Sequence, residues 1–297
     1  MPLTGFACGH DNYPVGAPAT TLITAKAPAE PPPDPLAALS RETELDKGQT
    51  DNGQLFHLSY GAGPLQTGSL RLPPGNGAFP VVIFFHGGFW RSGFDRSLMT
   101  PLAEDAVARG VATWNIDYRS VGDPGGGYPG TLNDIAHAVD FLAQIDMPLR
   151  LEDVMVIGHS AGGHLALWAA SRNQLESGDP GAHPVIEPHT VVAQAAVVDL
   201  AVAAEANLGW GAVQAFLGGE PSEVPEHYRV AQPTSGSHRT IAVHGRYDQV
   251  VPISQSGLLS EAVGIFSDTG THFDVLNPNH DLWLRTMAEL GLKKSMG

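Results

Sequence analysis

Ser160 stands in the run GHSAG at 158–162, after the apolar stretch VMVI at 154–157 and before a segment rich in Ala and Leu. A serine two residues from a glycine on either side, where a strand gives way to a helix, suits a strained nucleophile. Its backbone must take an unfavourable conformation at the tip of a tight turn, where side chains two positions away would collide with it. A dinucleotide fingerprint needs glycine where Ser160 stands, so that reading fails.

A serine hydroxyl is a weak nucleophile near neutral pH and needs a base, which in turn needs a group to orient it. In a strand–turn–helix setting of this kind the acid and then the histidine follow the serine along the chain. Asp248, in RYDQVVP beyond the strand-like TIAVHG, is the expected acid. Asp199 is the alternative, with a helix N-cap as its ordinary explanation. His272, in the loop segment TGTHFD, is the expected base, because a loop histidine reaches across strand ends. His280, at the start of the last predicted helix, is the alternative. His159, His164 and His244 read as packed or hydrogen-bonded residues. Spacing such as H-E-x-x-H is absent, so neither a metal site nor a cofactor is expected.

The third group is HGGFWR at 86–91, which ends the apolar run VVIFF. Attack on a carbonyl builds negative charge on oxygen, and fixed amide donors stabilise it by roughly 3 kcal/mol each. Gly88 and Phe89, with the amide of Ala161, are the expected oxyanion hole. His86 is expected to brace the loop, and Phe89 and Trp90 to line a substrate pocket.

These residues need a scaffold of alternating elements. Strand-like runs lie at 68–72, 81–85, 111–116, 154–157, 191–198 and 240–245, with a weaker one at 264–267. Helical periodicity marks 97–110, 131–145, 161–172, 253–263 and 281–290. Thr131 with Asp134 resembles a helix-capping pair, and Gly110 and Gly264 stand where helices should stop. Strands alternating with helices of this length predict an α/β fold: a doubly wound, mostly parallel sheet with helices on both faces. The segment 205–232 reads as a small partial cap.

Residues 1–65 differ in character, with APAEPPPDP at 27–35 favouring an extended path. They read as a Pro-rich arm or extension laid across the domain or across a partner subunit, the latter making a homo-oligomer, with a floppy tail as the alternative. The catalytic domain is expected at 66–297.

The 31 acidic residues against 16 basic ones give a net charge of −15, which repels a phosphate backbone and excludes nucleic acid as a partner. The one cysteine, Cys8, excludes an intrachain disulfide. No apolar run reaches the roughly 18 residues of a membrane helix, and the opening residues lack a secretory pattern. A cytoplasmic protein with no membrane association is expected.

Taken together, HGGFW, GHSAGG, Asp248 and His272 in this order resemble the α/β-hydrolase superfamily, in its esterase and lipase branch with an HGG motif. The resemblance covers about 66 to 291, including the segment FLGGEPSEVPEHYRVAQP at 216–233. HGGFW is most similar to kynurenine formamidases and related carboxylesterases. The resemblance implies hydrolysis of a small ester or amide through an acyl-enzyme on Ser160, with an aryl formamidase as the alternative. A ligand-binding module without activity is the alternative from another class.

Overall fold

The computed structural model describes residues 53–294. Among them eight strands form one sheet: β1 (Gln54–Ser59), β2 (Thr67–Leu72), β3 (Phe79–Phe85), β4 (Ala112–Ile116), β5 (Leu149–His159), β6 (Thr190–Gln194), β7 (Arg239–Gly245) and β8 (Val263–Ser267). Their order is β1-β2-β4-β3-β5-β6-β7-β8. Within this sheet the β1–β2 and β2–β4 pairings are antiparallel, and the other five are parallel.

The helices among the described residues are α1 (Thr100–Val107), α2 (Gly130–Asp140), α3 (Ala161–Ser171), α4 (Leu200–Glu205), α5 (Ala212–Leu217), α6 (Pro225–Ala231) and α7 (Asp281–Glu289). The strand β3 shows why the sheet is covered on both sides. Val81, Ile83 and Phe85 enter one core with Leu132, Ile135 and Trp168, from α2 and α3. Val82 and Phe84, pointing the other way by strand alternation, enter a second core with Leu102, Ala106, Leu282 and Trp283, from α1 and α7. All eleven residues of α3 are buried, which matches a helix with no polar face.

The sheet begins before residue 66. Gln54–Ser59 pairs with Thr67–Leu72 in full register, and Phe56 and Leu58 pack on the first core, so this part of the expected extension belongs to the domain. The remainder of the expected arm, 1–52, lies outside the described residues.

Other local expectations changed for tertiary reasons. The expected strand at 191–198 stops at Gln194, because Ala195 turns to φ 47°. Over 253–263 only a 3-10 turn forms, Ser256–Leu258. There the side chain of Gln255 accepts from the amides of Val198 (2.7 Å) and Asp199 (2.9 Å), and Ser256 Oγ lies 2.7 Å from His244 Nδ1. These polar side chains are committed to neighbouring loops, and the segment takes the shape those bonds require. Gly264 consequently sits inside β8 and stops no helix. Thr131 and Asp134 do not form a capping pair either. Thr131 Oγ1 donates to the carbonyl of Arg119 at 2.5 Å, while Asp134, fully buried, pairs with the Arg119 guanidinium at 2.7 Å.

Candidate active site

Strand β5 ends at His159, and α3 starts at Ala161, leaving Ser160 alone to reverse the chain. Ser160 does so at φ 56°, ψ −118°, outside the regions a side chain favours. The close packing around it explains the glycines. A Cβ at Gly158 would lie 1.9 Å from the carbonyl oxygen of Gly162, and one at Gly162 would lie 2.2 Å from that of Phe85. Gly163 is needed as well, since its Cβ would meet that of Ala196 at 2.6 Å. The Ser160 amide donates to Gln194 O at 2.8 Å, so the elbow is tied to β6.

Asp248 lies in the turn after β7 and is 9% exposed. Its Oδ1 accepts from the amides of Val250 and Val251, each at 2.8 Å. Its Oδ2 accepts from His272 Nδ1 at 2.7 Å and His244 Nε2 at 3.0 Å. Burial by itself would raise the carboxyl pKa, but the hydrogen bonds from His244 and His272 hold it well below the usual carboxylate range.

His272 occupies the loop between β8 and α7, and its ring packs on that of His159 with centroids 4.6 Å apart. His159 Nε2 donates to the main-chain carbonyl of His272 at 3.0 Å. Burial first, and then the neighbouring His272, push the His159 imidazole down to about 3, so it is neutral. Ser160 Oγ and His272 Nε2 are not hydrogen-bonded to each other. Such contacts are often long in a free enzyme and tighten with substrate.

The loop after β3 approaches the elbow closely: a Cβ on Gly87 would lie 3.1 Å from Ser160 Cβ. Gly88, Phe89 and Trp90 follow at φ 120°, 53° and 53°, and Arg91 N closes the turn on Gly88 O at 3.0 Å. Phe89 and Trp90, both at positive φ, are the central residues of this tight four-residue turn. His86 stacks on Tyr118 at 4.2 Å, and Tyr118 Oη donates to His86 O at 2.7 Å. Arg91 extends to the segment between α4 and α5, where it donates to Gly209 O at 2.8 Å. In this way 205–232, the expected cap, touches the loop.

Trp90 does not line an open pocket. It is 1% exposed, stacks on Phe216 at 4.9 Å, and donates from Nε1 to His164 Nδ1 at 3.3 Å. A large ring with one polar atom found its partner in the core, and only Phe89 of the expected pair stays part-exposed. The two alternatives are helix caps. Asp199 accepts from Val202 N at 2.9 Å at the start of α4, and His280 Nδ1 accepts from Leu282 N at 3.2 Å at the start of α7.

His244, expected only as a packed or hydrogen-bonded residue, is hydrogen-bonded to Asp248 itself. As the penultimate residue of β7 and four positions before Asp248, it meets the carboxylate from behind. The spacing HGRYD at 244–248 is the signal that could have drawn attention to it.

No described helix is long and apolar enough to cross a membrane. No cluster of His, Cys, Asp and Glu suited to a metal ion occurs among the described residues.

Solved structures with this fold include a truncated carbohydrate esterase from gut microbiota, at TM-score 0.69 and 19% identity, covering 82% of this chain and 97% of that one. Esterase B from Lactobacillus rhamnosis (HN001) aligns at TM-score 0.67 and 21% identity, covering 86% and 89%. A bifunctional GH43-CE protein of Bacteroides eggerthii aligns at TM-score 0.64 and 21% identity over 78% of this chain, which spans 37% of that protein's length. At such identities the likeness establishes the fold alone. A family model matches residues 70–263, more than half of the sequence, and by that match the chain belongs to the BD-FAE family.

Proposed function

We propose that this protein is a serine esterase that hydrolyses a small carboxylic ester through an acyl-enzyme on Ser160. The observation that carries the reading is the 2.7 Å bond between His272 Nδ1 and the buried, ionised Asp248, formed beside a serine held at φ 56°. With Nδ1–H given to the carboxylate, His272 keeps its Nε2 lone pair free to take a proton.

In the first step Ser160 Oγ bonds to the ester carbonyl carbon while its proton moves to His272 Nε2. Asp248 stabilises the imidazolium. The amides of Gly88, Phe89 and Ala161 receive the negative charge that develops on the carbonyl oxygen. His272 then returns its proton to the departing alkoxide, leaving the acyl group on Ser160. Water repeats the sequence, with His272 as base, and releases the carboxylic acid. Esterases and carbohydrate esterases among the structural neighbours support an ester over an amide as substrate.

The test is labelling with a fluorophosphonate, located by mass spectrometry, alongside release of p-nitrophenol from the acetate and butyrate esters. A single adduct on Ser160 and turnover of both esters are expected. Labelling elsewhere, or esterase activity that survives in Ser160→Ala, would reject the assignment. Turnover of N-formylkynurenine without ester turnover would redirect it to a formamidase.

A further inference from the structure

The carboxylate of Asp248 is held from a second side by a residue that the chemistry above does not require. His244 Nε2 lies 3.0 Å from Asp248 Oδ2 and 3.0 Å from the carbonyl oxygen of Val251. Both are acceptors, so the ring carries a proton on Nε2. On its other edge Nδ1 lies 2.7 Å from Ser256 Oγ, whose hydroxyl donates to it when the imidazole is neutral. His244 is fully buried and Ser256 is 3% exposed, so water does not substitute for either contact. The carboxylate is therefore saturated: two amides on Oδ1 and two imidazoles on Oδ2.

We propose that His244 is a positioning residue for the hydrolytic reaction. Its Nε2–H fixes the plane of the Asp248 carboxylate and draws negative charge from Oδ2, the oxygen that His272 Nδ1 also engages. The chain of bonds runs from Ser256 through His244 and Asp248 to His272. It also explains why 253–263 gives up its helix, since Ser256 Oγ is committed to this ring. The titratable groups in contact with His272 are Asp248, from the turn after β7, and His159, from the elbow, while His244 reaches it through Asp248. On its own loop, the Asp274 carboxylate is occupied by Thr271 N at 2.7 Å and Thr271 Oγ1 at 2.8 Å.

The inference rests on the esterase reading of this site, but its test does not depend on turnover. Asparagine at 244 keeps an amide near the Nδ1 position and loses the donor to Asp248, whereas glutamine reaches the Nε2 position and keeps that donor. NMR titration of the His272 imidazole in full-length wild type, His244→Asn and His244→Gln is the experiment. In His244→Asn the His272 pKa is expected to rise about tenfold in proton affinity, because Asp248 then presents fuller charge to the imidazolium. His244→Gln is expected to restore most of the wild-type value. With an ester substrate, the acid limb of kcat/KM should move to higher pH in parallel, with KM little changed. At a fixed pH on that limb, His244→Asn should therefore turn over ester about tenfold more slowly than wild type. An identical His272 titration in all three proteins would overturn the proposal, and so would a change that glutamine does not reverse. A reversible change in a protein that turns over no ester would uphold His244 while defeating the esterase reading.

Discussion

His159 Nε2 donates to the main-chain oxygen of His272 at 3.0 Å, so the residue just before the expected nucleophile holds the loop that carries the expected base. A change at His159 should therefore reach the chemistry without altering any reacting group. In His159→Phe the ring can still pack on His272, but the loop loses its tether. The expected outcome is a kcat lower by about tenfold, near 1.4 kcal/mol of transition-state stabilisation, with fluorophosphonate labelling of Ser160 slowed in proportion. Unchanged labelling kinetics would show that the loop holds its place without this bond.

The alternative acid and base are separated from the expected ones by mutation. If they act as orienting acid and base, Asp248→Asn and His272→Ala should each reduce kcat by about three to four orders of magnitude. Asp199→Asn and His280→Ala affect helix caps. They should cost about 1 kcal/mol of stability at most and leave kcat within a factor of two. The reverse ranking in steady-state kinetics would reassign the site.

The glycines at the elbow should tolerate no side chain. Gly158→Ala and Gly162→Ala drive a methyl against main-chain oxygens at 1.9 Å and 2.2 Å, atoms that cannot move independently. Each is expected to lose about 3 kcal/mol or more, read from the urea midpoint. Gly257→Ala, where a Cβ meets nothing within 4 Å, serves as the control and should be close to neutral.

Trp90 distinguishes packing from substrate contact. Its burial at 1% predicts that Trp90→Ala lowers stability by about 3–5 kcal/mol. A normal melting temperature with a raised KM would return Trp90 to the pocket.

Buried neutral histidines set the acid limit of stability. Burial pushes His159 down to about 3 and His164 to about 4, both from 6.5. A histidine depressed in the fold binds its proton more readily when unfolded. Its stabilising effect is complete above pH 6.5 and is lost as pH falls from there toward the folded value, by about 1.4 kcal/mol per pH unit for each group. Asp248, also depressed, adds a loss below the ordinary carboxylate pKa. Melting temperature should decline steadily from about pH 6.5 to about pH 4. A flat profile over that range would show that neither ring is held neutral.

The fold class was legible because burial on both faces writes itself into composition: β3 reads FPVVIFF, and its alternate residues supply two cores. The elbow was legible for an equally local reason, since a turn that excludes a Cβ demands glycine at 158 and 162 wherever the rest of the chain goes. Chain order then singled out Asp248 and His272, although their 2.7 Å bond is a fact of the folded molecule.

Sequence alone therefore determined the alternation of strands and helices, the steric character of the elbow and the order of the residues that could act there. Tertiary structure decided which side chains meet. Trp90 went to the core because His164 and Phe216 lie beside it, and 253–263 remained non-helical where its polar side chains bond to other loops. His244 became a partner of Asp248 because the turn after β7 folds back on its own strand. Periodicity and turn chemistry depend on near neighbours and survive in the sequence. A hydrogen bond between distant segments depends on where both ends are placed, and only the packed sheet specifies that.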